Sequence, residues 1–221
     1  MRVASRNNAG FTLVDLMVVM AVVGVLVVVS LPALQAARAR AATVACASNL
    51  RQIGVAMLVY VGDHDGVLPP ARIVESPGVI VWPNDYWPYQ LQPYLGIVPQ
   101  GNIVQQKAQA FGGVFRDPGK KDWNPTGTGE QQISYAMNSF SITNNTGLAM
   151  RLAAIASPAK TTLVCDINDA YPVVQDRAQL YSLYNGLYPC QRHQGQDNVL
   201  FCDGHVQLVP LNGLNYDLTL P

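Results

Sequence analysis

Residues 16–29 are all apolar or glycine, and after Ser30 the run resumes over residues 31–34. No other feature limits so strongly what this chain can fold into. A helix crosses a bilayer with roughly 20 mainly apolar residues, and residues 11–34 supply them. The preceding segment, residues 1–10, carries Arg2 and Arg6 and no acid. The excess of cationic residues keeps such a leader cytoplasmic and sends the C-terminal bulk across the membrane. Asp15 is the sole charge near the start of the apolar run. A secretory signal would have a shorter apolar region ending in a small-residue cleavage site. The nearest Ala-rich stretch lies beyond Pro32, and cleavage there would release a soluble protein.

About 185 residues follow the anchor, enough for one ordinary domain. Formal charge is zero and charged residues make up 13% of the chain, with no basic stripe to hold nucleic acid. Eighteen glycines and 15 prolines, many after residue 62, predict a loop-rich, mostly β domain outside the cytoplasm. Cys46, Cys165, Cys190 and Cys202 form no C-x-x-C pair, so zinc-ribbon and thioredoxin motifs are absent. Outside the cytoplasm disulfides become possible. Cys165-Asp166 and Cys202-Asp203 follow similar apolar runs, so Cys165 and Cys202 would face one another if those strands are neighbours. Cys190 with Cys202 competes with that pair, four reduced buried cysteines are the third arrangement, and Cys46 is expected to be unpaired.

The helix should continue past the membrane. Residues 33–61 contain no proline, and Cys46, Leu50, Ile53, Met57 and Tyr60 recur at spacings of four, three, four and three. That is an apolar helical stripe, with Arg38, Arg40, Arg51 and Gln52 off it. A helix from Phe11 to about Tyr60 would be roughly 75 Å long at 1.5 Å per residue, loosened or kinked at Pro32, and ended by Gly62-Asp63-His64-Asp65-Gly66. Beyond it the pattern predicts a short helix near residues 86–95, a long loop over 112–129, and a strand over 133–138. A short element at 151–155 and a strand over 161–165 follow. Residues 180–188 are ambiguous. Residues 198–202 and 205–209 flank Asp203-Gly204, which predicts a hairpin with a type I′ turn. The fold class expected is α+β: a long N-terminal helix, half transmembrane and half amphipathic, packed on a C-terminal antiparallel sheet with long loops.

The segment GFTLVDLMVVMAVVGVLVVVSLPAL resembles the amino terminus of type IV prepilins and type II secretion pseudopilins, in which an acid stands five residues after the glycine. The resemblance implies a prepilin peptidase that cuts between Gly10 and Phe11 and methylates Phe11. It implies pairing of Asp15 with the free amine of a neighbour's Phe11, and assembly with other pilin-like subunits after release from the inner membrane. Asp15 departs from the family, which favours Glu. An ionisable group at mid-bilayer costs on the order of 2.5–3.5 kcal/mol, so a partner for Asp15 has a physical reason; snorkelling to the interface is the plain alternative. The domain plan is a leader at 1–10, a transmembrane half at 11–34, an amphipathic half at 35–62, and a periplasmic or extracellular globular domain at 63–221.

RHQGQDNVLFCDGHV resembles the C-terminal H-x9-DG region of prepilin-like proteins of diderm bacteria, here His193, Asp203 and Gly204 over residues 193–204. CASNLRQIGVAMLVY, YWPYQLQPYLG, ISYAMN and RLAAIASPAKTTLVCD resemble further blocks of the same proteins. The family often has Cys-Pro where this chain has Asp117-Pro118, which removes the partner Cys46 would otherwise have. For the H-x9-DG residues two readings stand. In the first, Asp203-Gly204 makes a turn and His193 pins the preceding loop through a carbonyl or the Asp203 carboxylate. In the second, His193, Asp203 and His205 hold a divalent metal, although a tight turn projects Asp203 and His205 in different directions. Asp63, Asp65 and Asp122 suggest calcium only weakly, since Asp63-His64-Asp65-Gly66 lacks the later acid of an EF-hand loop. Arg151 and Asp166 read as surface charges.

The leading function is a filament subunit with no catalytic role and no required cofactor. A membrane-anchored metal-dependent enzyme would need a deep polar pocket at His193, Asp203 and His205. A ligand-binding module would need a surface groove lined by Trp82, Tyr86, Trp87 and Trp123. Those aromatics are also explained by loops packing on the helix.

Overall fold

The computed structural model describes residues 13–71, 86–124, 134–138, 150–167, 173–174 and 191–210. Gly10, Phe11, Trp82, Cys190 and the stretch 180–188 lie outside the described residues. The chain divides into two compact units, Met1–Arg40 and Ala41–Pro221. Helix α1, Leu13–Asp63, runs through the boundary and contains Pro32. Pro32 leaves the carbonyl four residues back without its helical donor. In the first unit the apolar side chains from Leu13 to Leu34 are solvent-exposed. The helix is long and apolar enough to cross a membrane, and none of its most apolar window is buried. The helix terminates where the glycines and acids suggest: Asp65 and Gly66 adopt positive φ of 53° and 80°, and the Gly66 N–H bonds to the Val61 carbonyl at 2.9 Å.

In the second unit the second half of α1 covers one face of a sheet. The strands are β1 (Tyr135–Asn138), β2 (Thr162–Asp166), β3 (Val173–Val174), β4 (Gln196–Phe201) and β5 (Val206–Pro210), in spatial order β3-β1-β2-β4-β5. β1, β2, β4 and β5 form an antiparallel set, and the two-residue β3 adds a parallel edge on β1. The expected α+β layout is therefore present. The stripe Cys46, Leu50, Ile53 and Met57 is fully buried, with Met137, Val164 and Leu200 of the sheet in the same core. Each such aliphatic side chain contributes about 1.5–3 kcal/mol on burial. Gly54 marks the closest approach: a Cβ there would stand 2.9 Å from Leu200 Cδ1.

Among the described residues, two short helices also belong to this unit. Helix α2, Trp87–Leu91, followed by a 3-10 turn at Pro93–Leu95, is the short helix expected near 86–95. Tyr86 and Trp87 are buried, with Trp87 edge-on to Phe115 at 5.6 Å, so they build core and line no surface groove. Helix α3, Ile103–Phe111, was not foreseen. Its start is a reciprocal cap: Asn102 Oδ1 accepts the Gln105 N–H at 3.1 Å and Gln105 Oε1 accepts the Asn102 N–H at 2.9 Å.

The hairpin β4–β5 is present, but its turn differs from expectation. Gly204 N–H bonds to the Phe201 carbonyl and Phe201 N–H to the His205 carbonyl, both at 2.9 Å. Gly204 alone has positive φ, 90°, while Asp203 does not. Cys202 and Asp203 are thus the central turn residues and Gly204 follows as the left-handed bulge residue, the three-residue hairpin solution. The Cys165–Cys202 pairing is also corrected. β2 and β4 are neighbours, but the register sets Cys165 opposite Val199, while the Cys202 N–H bonds to the Thr161 carbonyl. Four residues of strand, about 13 Å, separate the two positions. Cys202 is a buried free thiol, and so is Cys46, as expected.

Candidate functional site

Where the buried stripe of α1 begins, the inner face of the sheet turns polar. Side chains alternate along a strand, so Asp166 shares the helix-facing side with Val164, and Asn198 shares it with Leu200. Both polar residues are buried. Asp166 Oδ2 accepts the Asn198 N–H at 2.9 Å, and the Asn198 side-chain amide donates to the Thr43 carbonyl of α1 at 3.3 Å. The Cys46 thiol donates to Asp166 Oδ1 at 3.2 Å, and the Tyr135 hydroxyl donates to Cys46 Sγ at 3.4 Å.

Two loops close this space. The first is the turn Asp117-Pro118-Gly119-Lys120, with the Lys120 N–H on the Asp117 carbonyl at 3.0 Å. Asp at the first position and Pro at the second are the residues such a turn favours. Asp117 Oδ1 also accepts the Gly119 N–H at 2.7 Å, which aims Oδ2 inward. The second is the 3-10 turn Gln191–His193. It places Arg192 Nε 2.7 Å from Asp117 Oδ2, and the Arg192 guanidinium donates to the Ser134 and Ile167 carbonyls at 3.0 and 2.9 Å. His193 Nε2 stands 3.3 Å from Asp117 Oδ2 and 3.2 Å from Asp166 Oδ2, and its Nδ1 is 3.1 Å from Thr43 Oγ1. Gln194 and Gly195, at φ of 60° and 79°, then swing the chain into β4.

The electrostatics follow from that geometry. Burial works against a charged His193, but the carboxylates of Asp117 and Asp166 outweigh it and raise the imidazole to about 9. Burial would raise Asp117, but His193, Arg192 and the Gly119 N–H together hold it below the ordinary range. Burial first, then the charges of Asp166 and Asp117, push the Cys46 thiol far up, so it stays protonated. Two carboxylates, one guanidinium and one imidazolium sum to zero charge.

A family model described as "Protein of unknown function (DUF1559)" matches residues 35–179. The chain belongs to this family. A second model, "Prokaryotic N-terminal methylation motif", matches residues 5–31, so this DUF1559 chain is prepilin-like at its amino terminus. No curated protein and no solved structure matches it.

In this DUF1559 chain the two ends of the H-x9-DG segment do different things. His193 joins the buried cluster. Asp203 and His205 sit on the exposed hairpin turn, where His205 Nδ1 is 2.6 Å from Asp203 Oδ1 and the imidazole stacks on Phe201 at 4.3 Å. The trio His193, Asp203 and His205 therefore does not converge, so the alternative of a metal held by these three is corrected, as is the part of the structural reading in which His193 pins its loop through the Asp203 carboxylate. Gly204 packs against α1, since a Cβ there would meet Leu58 Cδ1 at 3.5 Å. Thus His193 and Gly204, flanking β4, both contact α1, and the segment clamps the strand to the helix. Asp166, read from sequence as a surface charge, is buried at the centre of the cluster. Asp117 lies where the resemblance expects cysteine, its carboxylate within 4.8 Å of Cys46 Sγ. Asp15 sits in the first turn of α1.

Proposed function

We propose that this chain is a structural subunit of a type IV pilus or type II secretion pseudopilus. A prepilin peptidase cuts it between Gly10 and Phe11 and methylates Phe11. Before assembly α1 anchors it in the inner membrane, with the C-terminal unit periplasmic. On extraction the same apolar surface packs against neighbouring helices. The exchange costs little, because both surroundings are dry and the helix satisfies its own backbone. Ala21 and Gly24 allow neighbouring helices to approach closely. Asp15 then meets the free amine of an adjacent subunit's first residue.

One observation carries the reading: the methylation motif at residues 5–31 runs into the start of a helix whose most apolar window has no burial within this chain. Mass spectrometry of the purified protein's amino terminus tests it. A chain starting at N-methylated Phe11 is expected, and Gly10→Val should leave the leader attached. A start beyond Pro32, or trimming that persists in the Gly10→Val chain, refutes the assignment.

A further inference from the structure

Four side chains able to offer one ligand each meet inside the second unit. They are Cys46, Asp117, Asp166 and His193, all buried, with their donor atoms within 4.8 Å of one another. Two of those atoms, Asp117 Oδ2 and His193 Nε2, are sealed from solvent and make no aligned hydrogen bond. Both are held by charge instead: Arg192 Nε lies 2.7 Å from Asp117 Oδ2, and His193 Nε2 lies 3.3 and 3.2 Å from the Oδ2 atoms of Asp117 and Asp166, so both face the point where the four side chains meet.

The spacing suits a metal ion. A tetrahedron built with bonds of about 2.0–2.3 Å has edges of about 3.3–3.7 Å. His193 Nε2 is 3.3 Å from Asp117 Oδ2 and 3.2 Å from Asp166 Oδ2, which are edges of about that length, while Cys46 Sγ is 3.2 Å from the other Asp166 oxygen, Oδ1, and the donor atoms of the four residues all lie within 4.8 Å of one another. We propose that Cys46, Asp117, Asp166 and His193 form a closed structural site for one divalent transition ion, zinc foremost. One sulfur and one imidazole nitrogen exclude magnesium and calcium as the preferred ions. Four protein ligands leave no open position, so the site staples and does not catalyse.

The surroundings are those of a metal site. Thr43 Oγ1 lies 3.1 Å from His193 Nδ1 and fixes the ring with Nε2 inward. Tyr135 donates to Cys46 Sγ, the Asn198 N–H to Asp166, the Gly119 N–H to Asp117 Oδ1, and Arg192 pairs with Asp117 Oδ2. Every ligand thus has an outer partner that orients it. With a divalent ion bound, its two positive charges and Arg192 would oppose two carboxylates and the Cys46 thiolate, so the charges balance. The inference is independent of the assembly reading, since no ligand lies on the membrane-spanning part of α1.

Cobalt(II) is the probe. The full chain in detergent, stripped with a chelator and dialysed against cobalt, is expected to take up one ion per chain. It should show the intense visible absorption of four-coordinate cobalt with a thiolate-to-cobalt charge-transfer band, both lost when zinc is added. Cys46→Ser should remove the charge-transfer band. Thr43→Val should weaken binding by about 10- to 100-fold. Asp203→Asn with His205→Gln should change nothing. The weak spectrum of hydrated, six-coordinate cobalt with the folded wild-type chain would overturn the site without reference to any variant. So would a charge-transfer band that survives Cys46→Ser, or uptake that follows Asp203 and His205 instead.

Discussion

Asp117 and Arg192, 75 positions apart in the chain, are joined by a 2.7 Å ion pair in which the carboxylate is wholly buried and the guanidinium is 11% exposed. The pair fastens the Asp117-Pro118 turn to the loop that carries His193, so the two loops close over α1 together. Breaking one side of a buried pair leaves the other charge without compensation, at a cost of about 3–5 kcal/mol, and the residual exposure of Arg192 reduces that toward about 2–3 kcal/mol. Asp117→Ala is therefore expected to lower the stability of the second unit by about 2–3 kcal/mol, read by denaturant unfolding of the full chain in detergent. A change below about 0.5 kcal/mol, the range of ordinary surface substitutions, would contradict the described burial.

The same cluster sets a pH dependence in chelated protein. The groups facing His193 are Asp117, Asp166 and Arg192, with the Cys46 thiol and, through it, Tyr135 beyond. The imidazole is raised to about 9 from an ordinary 6.5. A group raised on folding stabilises fully below its unfolded value and loses that contribution as pH climbs through its folded value. The melting temperature should thus fall between about pH 6.5 and 9. Asp117 is held low, so a second loss appears as pH drops through the acidic range. His193→Gln should flatten the alkaline limb and leave the acidic one. A wild-type alkaline limb already flat would mean that His193 is not charged in the folded chain.

How much of this could be read from the chain depended on whether a local period existed. The stripe from Cys46 to Met57 repeats at helical spacing, and the runs either side of Asp203-Gly204 announce a hairpin, so helix, hairpin and their packing were legible. Helix α3 is only nine residues long, too short to show a repeated stripe, and its sequence signal is the Asn102-x-x-Gln105 cap. In the site, His193 was singled out from the resemblance, whereas Asp117 and Asp166 were not assigned to it. They reach His193 through a turn and a strand end whose neighbours are set by sheet order, which no local pattern encodes. Asp166 had one clue: two residues after Val164, it falls on the same strand face as a core residue. The pairing of Cys165 with Cys202 fails for the related reason that it depends on register as well as on the two strands being neighbours, and the register sets Cys165 opposite Val199.

Thiol reactivity offers an independent check on burial. Burial pushes Cys202 up to about 12, with the Asp203 charge adding to it, and Cys46 is raised further still. Alkylation proceeds through the thiolate, so neither residue should react with iodoacetamide in the folded chain at pH 8, and both should react after denaturation. Peptide mapping by mass spectrometry reads the two sites separately. Rapid native labelling of Cys46, or a linked Cys165–Cys202 peptide without reductant, would refute the packing and register described.

Gly54 and Leu200 give the sharpest test of how α1 meets the sheet. A Cβ at residue 54 would fall 2.9 Å from Leu200 Cδ1 and 3.9 Å from the Gly204 carbonyl oxygen. Alanine gains up to about 1 kcal/mol of helix propensity over glycine, while Leu200 must shift to admit the methyl group, so Gly54→Ala should be close to neutral. Gly54→Leu has no such room and should cost about 1–3 kcal/mol as overpacking, or more where β4 is displaced from the helix. Gly62→Ala, on the same helix with open space around it, serves as the control and should not destabilise. Combining Gly54→Leu with Leu200→Ala returns volume to the same contact, so the double variant should be more stable than the sum of the single losses by about 0.5–3 kcal/mol. Strict additivity in that cycle would mean that the two residues do not touch, and the close approach of α1 to β4 would have to be abandoned.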